Sequence, residues 1–180
     1  MAKKIAEQLI DTLVESGVER IYAVTGDSLN EVNEAVRKNN KIQWIHVRHE
    51  ETGAYAAAAE AQLTGRIGCC AGSSGPGHVH LINGLYDAQR SGAPVIAIAS
   101  TIPSGEFGTE YFQETNTIKL FNDCSYYNEV YMRICGGGII FFAGILAFFL
   151  LMGYDMKHKH RRGRARSETA KNSEDTHFPT

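Results

Sequence analysis

Residues 48–65 read RHEETGAYAAAAEAQLTG, and their alanine density strongly favours a slim helix that can pack close to a neighbour. A short apolar run at 68–71 follows and enters the loop GSSGPG at 72–77. Strand-like runs at 21–24, 42–47, 68–71 and 95–99 alternate with helix-like runs at 5–14, 29–37, 50–63, 78–90 and 115–121. Strands separated by helices pair in parallel, so the sequence predicts an α/β fold with ligand-binding loops at the carboxyl ends of the strands.

Charge divides the 180-residue chain into three parts. Residues 1–133 carry 11 Lys and Arg against 16 Asp and Glu, and residues 155–180 carry 7 against 4. Between them, residues 134–154 contain no charge over 21 positions, which is long enough for a transmembrane helix. The alternative for this segment is a buried core helix. We therefore expect an acidic domain, one membrane span and a basic, disordered tail, with no nucleic-acid partner.

The four cysteines do not indicate a disulfide scaffold or a metal site. Cys69 and Cys70 are adjacent and would point to opposite sides of a strand, and no Cys-x-x-Cys spacing accompanies them. Reduced, mostly buried thiols are therefore expected, with no metal-ligating residues.

Two segments carry residues suited to chemistry. Glu50 follows His49 where a strand gives way to the alanine-rich helix, so its carboxylate could face a ligand, although acids at helix starts are more often capping groups. The loop at 72–77 has three glycines that allow close approach of backbone to a ligand. It matches neither a phosphate-binding P-loop nor the nucleophile elbow of a serine hydrolase.

Several motifs together resemble a known family. They are VTGDSLN (24–30), RHEETGAYAAAAEAQLTG (48–65), GSSGPGHVHLINGLYDA (72–88), PVIAIAS (94–100) and YFQET (111–115). Over about residues 4–131 they resemble the N-terminal, pyrimidine-binding domain of thiamine diphosphate enzymes, closest to bacterial pyruvate oxidases and then to acetolactate synthases. The resemblance implies a three-layer domain with a parallel sheet, lacking its last helix and strand. It covers none of residues 134–180.

The resemblance also implies roles for particular residues. The catalytic residue would be Glu50, which in the family hydrogen-bonds the pyrimidine ring nitrogen of the cofactor. The matched cofactor-binding residues are Gly26, Gly75, Pro76, Gly77 and Asn83, and those lining the substrate side are Phe112 and Gln113. The implied substrate is pyruvate or another 2-keto acid, whose decarboxylation depends on the cofactor as an electron sink.

By the same resemblance the chain supplies only half of a cofactor site. Family members carry a further domain that binds the cofactor diphosphate through Mg²⁺, and the oxidases carry a domain for FAD; the motifs of both are absent here. A complete site would need a complementary subunit or a homo-oligomer. We therefore expect the isolated chain to be inactive.

Localisation gives conflicting signals. The N-terminus lacks the continuous apolar region of a signal peptide, so the first domain looks cytosolic, whereas the uncharged segment would contact the lipid bilayer with uncertain orientation. Two alternatives to a fragment of a thiamine diphosphate enzyme stay open. One is a membrane-anchored binding or interaction protein without catalysis, and the other is a fused or mis-joined product with no function as a unit.

Overall fold

The computed structural model describes residues 3–130, which lie in the first of the two units of the chain, Met1–Arg133. The predicted span at 134–154 and the predicted tail at 155–180 lie outside the described residues. Among residues 3–130, no helix combines the length and the apolar character that crossing a membrane requires.

Helices and strands alternate along the described residues. The helices are α1 (Ile5–Glu15), α2 (Asn30–Asn39), α3 (Glu50–Thr64), α4 (Pro76–Val79), α5 (Ile82–Ser91) and α6 (Thr117–Phe121), and the strands are β1 (Arg20–Ala23), β2 (Gln43–His46), β3 (Gly68–Gly72) and β4 (Val95–Ala99). Glycines follow two of the helices: Gly17 lies just beyond α1, and Gly65 comes directly after α3. Both adopt a positive φ, which suits the end of a helix.

The four strands form one parallel sheet in the order β2-β1-β3-β4. Strand β3 is buried along its whole length, as expected of a central strand with helices on both faces. Its register runs from Gly68 opposite Val95 to Gly72 opposite Ala99. The predicted α/β fold with a parallel sheet is therefore confirmed.

Two hydrophobic cores lie on opposite faces of the sheet. One includes Ile10 of α1, Val36 of α2 and Cys69 of β3, and the other includes Ala57 of α3, Leu85 of α5 and Cys70. This arrangement has three layers, helices on a sheet on helices, as predicted. Adjacent side chains on β3 point to opposite cores because side-chain direction alternates along a strand.

The described cysteines are reduced and buried, as expected. Cys69, Cys70 and Cys124 form no disulfide with one another, and burial raises the pKa of the Cys70 thiol to about 12. Desolvation of the thiolate is the cause, so these thiols are inert at neutral pH. The fourth cysteine, at position 135, lies outside the described residues.

The prediction of one helix over 78–90 is wrong in its start and in its continuity. The chain enters α4 at Pro76, leaves it after Val79, and begins α5 at Ile82. The amide of Leu81 donates to the carbonyl oxygen of His78, three residues back, and this tighter turn interrupts the α-helical pattern. The break places the side chain of His80 beside the start of α3.

Candidate functional site

The predicted site residues lie on loops and helix starts at the carboxyl edge of the parallel sheet. These segments follow β1 at 24–29, β2 at 47–49, β3 at 73–75 and β4 at 100–116. Ligands of parallel α/β sheets bind at this edge, because the loops there converge while the sheet holds their ends fixed. The site is therefore built from four separate parts of the chain.

Glu50 is the first residue of α3, and only 8% of it is exposed. Its Oε2 accepts a hydrogen bond from Nδ1 of His80 at 3.0 Å. Its Oε1 faces the backbone of Gly77, where an added Cβ atom would lie 3.3 Å away. One carboxylate oxygen is thus anchored, and the other is turned toward the glycine-rich loop.

Gly75 gives this loop its shape. It has a φ of +66°, in the region that only glycine adopts without strain, and Pro76 begins α4 directly after it. A Cβ atom at Gly75 would lie 2.8 Å from Cβ of Gln113. The absence of a side chain therefore lets the segment that holds Gln113 close over the loop.

Hydroxyl groups join the loops that follow β1 and β3. Oγ of Ser28 lies 3.0 Å from Oγ of Ser73 and accepts a hydrogen bond from the amide of Ser74 at 2.9 Å. A Cβ atom at Gly26 would overlap the Ser73 side chain, so Gly26 permits this approach. Oγ of Ser74 donates in turn to Oε1 of Gln113 at 3.3 Å.

His78 ties the far side of the site together from the interior, with only 1% of it exposed. Its Nδ1 lies 2.8 Å from the carbonyl oxygen of Ser100, and its Nε2 contacts the hydroxyl of Thr115. Because a carbonyl only accepts, Nδ1 carries the hydrogen, and Nε2 accepts from the threonine. Desolvation lowers the pKa of His78, although the bond to Ser100 opposes the shift, so the buried ring is neutral.

The structure brings most of the predicted site residues into one place. Those that meet around the loop are Gly26, Glu50, Gly75, Pro76, Gly77 and Gln113. The amide of Asn83 donates to Oε1 of Glu51, the residue after Glu50, at 3.1 Å. Phe112 is 80% exposed and is not packed into the loop.

Sequence reasoning missed His80, His78 and Ser28. His80 lies 30 residues from Glu50, and spacing along the chain gives no sign of their contact. A general signal was available, since polar side chains just after a glycine-rich loop at a carboxyl strand end line the ligand edge. That signal does not say which of them turn inward.

Two imidazoles and a carboxylate also come together at the start of α3. The ligand atoms of His49, Glu50 and His80 all lie within 4.8 Å of one another. The rings of His49 and His80 are stacked, with centroids 4.4 Å apart. No metal-ligating residues were predicted, so this group is a feature that only the fold reveals.

The sequence of residues 3–120 matches the family described as thiamine pyrophosphate enzyme, N-terminal TPP binding domain. The chain belongs to this family. The resemblance drawn from the motifs is therefore confirmed, and the cofactor of the family is thiamine diphosphate, another name for thiamine pyrophosphate. The parallel sheet and its glycine-rich loop are consistent with this membership.

Three relatives illustrate the similarity. An uncharacterised 42.6 kDa protein of Pseudomonas amyloderamosa is 56% identical over 71% of this chain and 32% of its own. A pyruvate oxidase of Lactiplantibacillus plantarum is 44% identical over 67% of this chain and 20% of its own. An acetolactate synthase of Brassica napus is 33% identical over 73% of this chain and 20% of its own. The chain spans a third or less of the length of each of these relatives.

Proposed function

We propose that residues 3–130 form the pyrimidine-binding half of a thiamine diphosphate site and that Glu50 is its catalytic residue. The observation that carries this proposal is the state of the Glu50 carboxylate, which is nearly buried, anchored through Oε2 by His80, and turned through Oε1 toward the loop at Gly77. A carboxylate held in one position, beside backbone that carries no side chains, can bind the ring nitrogen of a flat heterocycle.

The residues present fit the pyrimidine part of the cofactor. Gly77 leaves free the space that a side chain would fill against Oε1 of Glu50, and Gly75 brings Gln113 close on the other side. Glu50 would hold the ring nitrogen, and the backbone of the loop would lie against the ring. When bound, the cofactor supplies the electron sink for breaking a bond next to a carbonyl group. The protein would position the pyrimidine ring, and Glu50 would exchange a proton with its ring nitrogen.

The reaction we propose for the assembled enzyme is decarboxylation of pyruvate or a related 2-keto acid. Relatives named pyruvate oxidase and acetolactate synthase support this class of substrate. The described residues offer groups for the pyrimidine ring, and the groups that hold the diphosphate, Mg²⁺ and FAD would lie outside residues 3–130. We therefore expect a complementary subunit or a homo-oligomer, and no turnover by this chain alone.

Ligand-detected NMR on the full chain tests the half-site directly. With thiamine diphosphate and Mg²⁺ present, saturation transfer from the protein should reach the pyrimidine protons more strongly than the thiazolium protons. Glu50→Gln should reduce this transfer, because the amide no longer offers a carboxylate to the ring nitrogen. Carbon dioxide release from pyruvate should stay at background in the same samples.

Glu51→Gln is the matched control, since Glu51 is the next residue on α3 and its Oε1 is engaged by Asn83. That variant should keep the transfer to the pyrimidine protons. Equal loss in both variants, or strong transfer to the thiazolium protons alone, would contradict the assigned role of Glu50. Thiamine-dependent turnover that Glu50→Gln abolishes would contradict the inactivity of the chain.

We also propose that residues 134–154 span a membrane. The support is the sequence alone: 21 uncharged residues followed by a basic run. Extraction of cell membranes with alkaline carbonate should leave the chain in the membrane pellet. Release of the chain into the carbonate supernatant would contradict the span.

A further inference from the structure

We infer that His49, Glu50 and His80 form a binding site for a divalent transition metal such as Zn²⁺. Imidazole nitrogen and carboxylate oxygen are ligands that Zn²⁺ prefers, and two histidines with one acid are a set found in zinc sites. All three ligand atoms lie within 4.8 Å of one another around the start of α3. Mg²⁺, which prefers an all-oxygen octahedron, is a poor match for this set.

The distances are close to those that a metal requires. Nδ1 of His80 and Oε2 of Glu50 are 3.0 Å apart, and tetrahedral Zn²⁺ with bonds of about 2.1 Å places its ligand atoms about 3.4 Å from each other. The ligand atom of His49 lies within 4.8 Å of the other two, so this ring must move closer to complete the set. Its side chain is 48% exposed, and that of His80 is 43% exposed, so neither ring is held by packing on all sides.

The local charges also favour a cation. When Nδ1 of His80 binds the metal, the hydrogen of that ring moves to Nε2, and the metal is held by two neutral rings and one carboxylate. Oε2 of the neighbouring Glu51 lies 3.8 Å from Nδ1 of His49 and adds a second negative charge nearby. Three protein ligands leave a fourth position for water on the exposed side.

The consequence concerns the proposed cofactor site, and this step rests on the proposed function. A metal at these three residues would bind Oε2 of Glu50, whereas the pyrimidine ring would use Oε1 of the same carboxylate. The positive charge of the metal would make Oε1 a poorer partner for the ring nitrogen. Zn²⁺ would then weaken the binding of thiamine diphosphate at this site. In the assembled enzyme the metal would therefore inhibit the reaction without contacting the substrate.

Calorimetric titration with ZnCl₂ tests the metal site without any assay of activity. His158, His160 and His177 lie outside the described residues and could also bind the metal, so every protein in the experiment carries Gln at these positions. One Zn²⁺ should bind per chain. His49→Ala and His80→Ala should each weaken binding at least about tenfold, since even partners outside the ligand sphere are worth that much.

His46→Gln is the matched control, because His46 is exposed on β2 and outside the group. It should leave the affinity unchanged, and circular dichroism should show that each variant is folded. Mg²⁺ should give no binding heat. Affinity for Zn²⁺ that survives both alanine variants, or that His46→Gln lowers equally, would overturn the proposed site.

Competition then separates this inference from the proposed function. Zn²⁺ should reduce the saturation transfer to the pyrimidine protons, and His49→Ala should restore it at the same Zn²⁺ concentration. Zn²⁺ binding through these ligands without any pyrimidine signal would refute the cofactor role and leave the metal site standing. Undiminished pyrimidine signal in Zn²⁺-loaded protein would refute the effect of the metal on cofactor binding.

Discussion

At the scale of single residues, the buried His78 links stability to pH. Its ring is neutral in the folded chain because desolvation lowers its pKa, whereas in the unfolded chain it titrates near its ordinary value of about 6.5. Below that pH the His78 ring binds a proton in the unfolded state but not in the folded state. The contribution of the neutral His78 ring to the free energy of unfolding is therefore fully present above about pH 6.5. It is lost as the pH falls toward the lowered pKa.

His78→Asn should show this dependence. The asparagine amide can still donate to the carbonyl of Ser100 but cannot titrate, and it leaves the hydroxyl of Thr115 without its acceptor. We expect a loss of about 1–3 kcal/mol in unfolding free energy at pH 7, together with a flatter decline between pH 7 and pH 5. Urea unfolding across that range measures both. The exposed His46→Gln should keep the slope of the parent, and a slope unchanged in His78→Asn would contradict the assignment.

A site residue could be predicted from the sequence when its role depends on its neighbours along the chain. Continuous sequence motifs contain Glu50, Gly75 and Gly77, and these motifs can be recognised from residue type and spacing alone. The structure places the three residues together. His80 and Ser28 act only through contacts between distant segments. Asn83 occupies a matched position, yet its side chain bonds Glu51, because side-chain direction depends on how α5 turns after the break at His80.

At the scale of secondary structure, α3 and α5 pack closely because small residues face each other. A Cβ atom at Gly84 on α5 would lie 2.5 Å from Cβ of Ala54 on α3 and 2.8 Å from the amide nitrogen of Tyr55. The alanine density that predicts a slim α3 thus has a packing purpose. The break before α5 could not be predicted in the same way, since no glycine or proline stands at 80–81 to signal it.

Gly84→Ala should therefore destabilise the domain although alanine is the better helix former. We expect a loss of about 1–3 kcal/mol, because the added methyl group must push two helices apart. A Cβ atom at Gly105 meets nothing within 4 Å, so Gly105→Ala is the matched control and should stay within about 0.5 kcal/mol of the parent. Thermal unfolding of both variants measures the difference. Equal midpoints would mean that the helices are not in contact at Gly84.

At the scale of the whole molecule, the sheet leaves an apolar strand at its edge among the described residues. β4 reads VIAIA, every one of its residues is partly exposed, and its one pairing partner within 3–130 is β3. An apolar edge with unpaired backbone groups is costly, and proteins normally cover, twist or charge such an edge. The resemblance predicts a further helix and strand in this domain, which could not be placed from the sequence because residues 134–154 read as a membrane segment.

The fragment 1–133 should consequently fold marginally or aggregate. Each backbone group that is left buried without a partner costs about 1–3 kcal/mol, a large share of the stability of a small domain. Urea unfolding followed by circular dichroism, with light scattering in parallel, measures the outcome. We expect a broad transition at low urea and scattering that rises with protein concentration. A single cooperative transition of ordinary midpoint, free of aggregation, would show that β4 tolerates its open edge and that four strands suffice for this half of the cofactor site.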